Sequence, residues 1–134
     1  MRWAAICALA LLSGCSWGED DEPVRAGGAS REIEEVVRQL ELATRAADGR
    51  AVCEDLLTPG ARARLGGRRC EARAAAALTG LRDPRVELAK LRVRSGDREA
   101  VALVRTRQTG RRALEETLVL THRDGEWRFE ALLR

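Results

Sequence analysis

A chain of 134 residues has room for one domain of modest size, and its formal charge of +3 is spread over 24 basic and 21 acidic residues. Three Trp, one Phe and no Tyr exclude the basic and aromatic alternation on which nucleic-acid bases stack, so no nucleic-acid partner is expected. One histidine and four cysteines are too few and too far apart for a zinc ligand set, and no metal or cofactor is expected.

Met1-Arg2 supplies a short positive start, Ala4 to Leu12 is uncharged and apolar, and Leu12-Ser13-Gly14-Cys15 places small residues directly before a cysteine. A membrane span needs about 20 apolar residues, whereas this run breaks at Ser13-Gly14 and turns acidic by Glu19. That order predicts a secretory signal peptide over residues 1–14. It resembles the lipobox of bacterial lipoproteins, which implies cleavage before Cys15, lipidation (diacylglycerol, often with a further acyl chain) of Cys15, and anchorage to the outer face of the cell membrane. The expected localisation is therefore extracytoplasmic, with the membrane as a partner through the anchor.

Residues 15–29 combine the acidic run Glu19-Asp20-Asp21-Glu22 with Pro23 and Gly27-Gly28, a composition that predicts a flexible tether. Because those acids lie outside the domain, residues 30–134 are more basic than the chain as a whole. The basic residues are almost all arginine (Lys90 is the only lysine) and alternate with glutamate, which predicts a solvated surface and fits a GC-rich genome.

Ser30 is a candidate N-cap for the first helix, with Glu32, Glu34 and Glu35 near the positive end of its dipole. Ile33, Val36, Val37, Leu40, Ala43 or Thr44, and Ala47 form one apolar stripe at helical spacing. Asp48-Gly49 predicts its end, with Gly49 as a left-handed cap. Short helices are expected over residues 50–57, 59–65 (Thr58 as cap, Pro59 at the first position) and 69–78, broken by Gly66-Gly67. With Cys7 removed and Cys15 lipidated, Cys53 and Cys70 remain. Outside the cytoplasm such a pair reads as a disulfide, and no C-x-x-C exists for redox work.

After Pro84 the period changes to two. Val86 and Leu88 share a face, Leu91 and Val93 fall out of phase, and the slip predicts a bulge near Ala89-Lys90. Ala100, Ala102 and Val104 alternate with Val101, Leu103 and Arg105 in a second strand that is apolar on both faces at its centre. Leu114, Leu118 and Leu120 share a face in a third. Asp124-Gly125 predicts a hairpin, and the last strand is expected to carry Trp127, Phe129, Ala131 and Leu133 on one face. Helices followed by a four-stranded antiparallel meander predict an α+β domain over residues 30–134.

An amino-terminal amphipathic helix ending in Asp48-Gly49, the Cys53…Cys70 pair, three hairpins and the ending Asp124-Gly125-Glu126-Trp127-Arg128-Phe129 together resemble the nuclear transport factor 2-like superfamily (cystatin-like cone, with SnoaL-like members), in particular its small lipoproteins from GC-rich Gram-positive bacteria. The resemblance implies a bent sheet wrapped on a long helix, with a pocket or an interface at the mouth of the cone and, in some members, a homodimer through the sheet face. Leu118, Leu120, Trp127 and Phe129 would line such a pocket, with Glu116 and His122 in the same phase.

Enzymes of that superfamily, such as ketosteroid isomerase, place an acid and hydrogen-bond donors inside the cone. This chain has no Tyr, one His, and no G-x-S-x-G, phosphate-binding loop, H-E-x-x-H or calcium-loop spacing. The leading expectation is a non-enzymatic binding or interaction domain for an unknown protein or small-molecule ligand. The alternative is a small cell-surface enzyme using Glu116 and His122 as acid and base.

Overall fold

Gly28–Ala46 form the first helix, α1, in a computed structural model that describes residues 27–94 and 96–133. The expected signal peptide, Cys15 and the acidic run lie outside the described residues. The helix starts two residues ahead of the expected Ser30 cap, taking Gly28 and Ala29 from the tether. Gly27 is extended, offers no side-chain cap, and accepts the Arg31 N–H at 3.1 Å. Along the stripe Ile33, Val37, Ala43 and Thr44 are buried, and Val36 and Leu40 pack at its margin.

The left-handed residue that ends α1 is Ala47 (φ 49°), with the Asp48 N–H on the Ala43 carbonyl at 2.9 Å. Gly49 does not serve as that cap. A Cβ there would stand 2.1 Å from the Glu71 carbonyl oxygen and 2.9 Å from the Ala75 nitrogen, so Gly49 is the point at which a later helix approaches the backbone.

A π-helical turn, Ala51–Leu56, follows, and Leu57 then leaves in an extended conformation. Thr58 caps α2 (Pro59–Arg64) as expected, its hydroxyl oxygen accepting the Ala61 N–H at 3.1 Å. Gly66 (φ 118°) and Gly67 (φ 57°) turn the chain into α3 (Cys70–Thr79). The Cys53–Cys70 disulfide, Cα atoms 6.1 Å apart, joins the π-helical turn to the start of α3, and both cysteines are buried.

The strands β1 (Arg85–Val93), β2 (Glu99–Arg107), β3 (Leu114–Arg123) and β4 (Glu126–Leu133) pair antiparallel in the order β1-β2-β3-β4. The architecture is α+β, with helices preceding a meander. The expected bulge is present between Leu88 and Lys90, and it returns Leu91 and Val93 to the face of Val86 and Leu88. Ala100, Ala102, Val104 and Leu120 lie on that inner face with Trp127 and Phe129. Together with Ile33, Val37 and Leu56 they form the core.

A second bulge changes the expected last strand. Leu120 pairs with Phe129 but Val119 pairs with Ala131, so Glu130 is the extra residue. Pairing with Val119 puts Ala131 on the outer face, and Leu133, opposite Thr117, goes with it. Leu132, opposite Leu118, takes the inner side. The four residues expected to share one face are thus divided two and two.

Candidate functional site

Glu32, His122 and Trp127 meet at the rim where the start of α1 crosses the β3–β4 hairpin. His122 and Trp127 are cross-strand partners, which places both rings on the inner side. The rings stack with centroids 5.0 Å apart and planes 29° from parallel. Trp127 is buried, and a buried indole needs an acceptor for its N–H. Glu32 supplies it: Trp127 Nε1 donates to Glu32 Oε2 at 3.0 Å. The same oxygen lies 4.0 Å from His122 Nε2. One carboxylate therefore ties the helix to the hairpin through an indole and sits beside an imidazole.

This cluster opens on a groove of about 660 Å³ between α1 and β4, lined by Arg31, Glu32, Gln39, Asp55, Trp127 and Arg128 among others. The Arg128 guanidinium is already engaged, donating to Glu126 at 2.8 Å and to the Glu54 carbonyl at 2.7 Å. Nearby, Glu35 is held below the ordinary glutamate range by its hydrogen bond from Arg38, and Glu54 by its hydrogen bond from Arg50. Both are exposed pairs one helical turn apart, which orient side chains on the surface and contribute little to stability.

Glu116 and His122 are not brought together. Glu116 lies opposite Val104, near the other end of β3, and His122 is six positions further along the strand, about 20 Å away at 3.3 Å per residue. The apolar residues expected to line a pocket also divide. Leu120, Trp127 and Phe129 are packed in the core. At their margins Leu118 and Phe129 border one depression, with Leu132, and Trp127 borders the groove between α1 and β4.

Glu32 was not singled out by sequence reasoning, which assigned it only to the helix dipole. Its partner is 95 positions away. The usable signal was the indole itself, since an inward Trp127 calls for an acceptor from whatever element covers it. Among the described residues no group of three or more His, Cys, Asp or Glu is placed to hold a metal ion, and no helix is long and apolar enough to cross a membrane. Comparison of the chain with protein-family models, curated proteins and solved structures finds no match.

Proposed function

We propose that this protein is a lipid-anchored, extracytoplasmic binding or interaction domain of the nuclear transport factor 2-like type, carried on an acidic tether from Cys15. The observation that carries the reading is the filled centre of the sheet's inner face. Ile33, Leu56, Leu120, Trp127 and Phe129 are buried in one core cluster there. The polar groups sit outside this packing, at the rim. The enzymatic alternative has less support, because an acid and base must both reach one substrate and Glu116 and His122 stand a strand's length apart. A ligand would therefore meet the domain at its rim and surfaces.

Intact mass of the protein from the membrane fraction, before and after reduction, tests the reading. The expected species starts at Cys15, carries acyl chains, and gains two hydrogens on reduction of Cys53–Cys70. An unprocessed chain with no acyl group would overturn both the anchor and the location.

A further inference from the structure

The depression beside Leu118 lies between α2 and the carboxyl-terminal half of β4. It has a volume of about 420 Å³, and Ala61, Leu65, Leu118, Ala131 and Leu132 are among the residues lining it. Leu65 is 37% exposed and Leu132 40%, and the neighbouring Leu133 is 52% exposed. Two uncovered leucines beside one apolar depression, with Leu133 exposed on the opposite face of the same strand end, are more than the scattered single apolar residues of an ordinary surface.

The helical side of this patch is basic, while Glu115 and Glu116 lie on the β3 side. Between Pro59 and Thr79 the chain carries Arg62, Arg64, Arg68, Arg69 and Arg73 against a single acid, Glu71. Arg68 and Arg69 are exposed on the turn that follows Leu65, and the Arg73 side chain folds over Gly66, next to that leucine. The one carboxylate lining the depression, Glu130, is paired with Arg64 at 3.2 Å. Apolar side chains with cations along the helical side match the two layers of an anionic bilayer, hydrocarbon beneath negatively charged headgroups.

We infer that this end of the domain docks on an anionic phospholipid surface, with Leu65 and Leu132 entering the interface and Arg68 and Arg69 at the phosphates. The inference rests on the lipid-anchored reading for the proximity of that surface. Twelve residues lie between Cys15 and Gly28, a reach of up to about 45 Å when extended. The patch lies some 20 Å along β4 from the hairpin end where α1 begins, at about 3.3 Å per residue. The tether is long enough for the anchored domain to lie down on its own membrane.

The test uses the full chain carrying Cys15→Ser, which takes no lipid, so its outcome is separate from that of acylation. Flotation with vesicles of equal parts phosphatidylglycerol and phosphatidylcholine is compared for this chain, for the same chain with Arg68→Gln and Arg69→Gln, and for one with Leu65→Ser and Leu132→Ser. Residues 1–14 are common to all three, so differences belong to the patch. The arginine pair is expected to weaken binding on the order of fivefold for each charge removed. The leucine pair should weaken it by about tenfold or more, and 0.5 M salt (a Debye length of roughly 4 Å) should erase the arginine effect. Circular dichroism checks the leucine variant; should it not fold, the arginine pair, exposed on both residues, decides. Variants that float like their parent on the anionic vesicles, or an arginine variant weakened just as much on pure phosphatidylcholine, would overturn the docking surface. Neither result would touch the anchor, which stands or falls on the intact mass.

Discussion

At one edge of the sheet, β1 carries Arg85, Lys90 and Arg92, breaks step between Leu88 and Lys90, and gives the Val86 N–H to Glu41 of α1 at 2.9 Å. At the other edge, β4 is covered by chain. The Thr58 N–H donates to the Phe129 carbonyl at 3.0 Å, Leu57 lies beside Phe129 in a parallel bridge, and Arg64 donates to the Glu130 carbonyl. Both edges would otherwise offer free backbone groups to another strand. Charge and a bulge serve where the helix can reach only one amide. Where the connecting segment runs alongside, it takes over the pairing, and the Cys53–Cys70 disulfide fastens that segment at its base. Past Glu130 the cover ends, and there the exposed leucines begin.

The covered edge is expected to be the costlier one to disturb. Phe129 is buried, belongs to the core, and carries the carbonyl that receives the cover. Truncation to alanine should destabilise the fold by about 3–5 kcal/mol, read as a lower urea midpoint. A loss below about 1 kcal/mol would mean that the segment over β4 closes on the space left behind.

Removing the fastening is the next largest effect. With 17 positions between the cysteines, loss of the bridge should cost about 3 kcal/mol in the chain-entropy account. Cys53→Ser, Cys70→Ser and the double variant should lose similar amounts, because each removes the same closed loop. Amide exchange at Thr58 should accelerate more than exchange at Val86, since the opening is confined to one edge. Equal acceleration at both edges would show that the bridge supports the whole fold and not the cover alone.

On the β1 edge the effect should be smaller. Glu41→Ala removes the acceptor of a half-buried amide, at a cost of about 1–2 kcal/mol. Glu41→Gln, which keeps an acceptor oxygen, should recover part of it. Exchange at Val86 reports the result, with Thr58 as the reference.

The two bulges explain how far such contrasts can be read from sequence. In β1, Leu88 and Leu91 are separated by Ala89-Lys90, so the apolar positions themselves slip out of phase and the bulge is legible. In β4, Ala131, Leu132 and Leu133 are all apolar, so either phase satisfies the pattern and the shift at Glu130 leaves no trace. Thr58-Pro59 was legible as a cap because its chemistry is local. Gly49 was misread for the opposite reason: the need for a missing Cβ comes from Glu71 and Ala75, more than twenty positions later, while Ala47 accepts a left-handed φ that its own side chain disfavours. The α+β order and the Cys53–Cys70 pairing were legible. The meeting of Glu32 with Trp127 was not, since it depends on where α1 crosses the sheet.

The smallest expected effect separates the edges by pH. Glu130 is held below the ordinary glutamate range, chiefly by the hydrogen bond from the Thr58 hydroxyl and then by Arg64, against the opposing effect of burial. Both partners belong to the covering segment. A carboxyl whose folded pKa is depressed adds stability that is fully present above its unfolded value, and loses it as pH falls through the lowered folded value. The contribution of Glu130 should therefore be intact at neutral pH and fade below about pH 4.3. Glu130→Gln should flatten the stability profile in that acid range, and exchange at Thr58 should rise with acidification beyond the intrinsic rate while exchange at Val86 does not. Glu35→Gln is the control: its carboxyl is also lowered, by Arg38, but that pair stands on the solvent face of α1 and touches neither edge. If Glu35→Gln and Glu130→Gln flatten the profile equally, the acid response belongs to surface ion pairs in general and the covered edge has no pH dependence of its own.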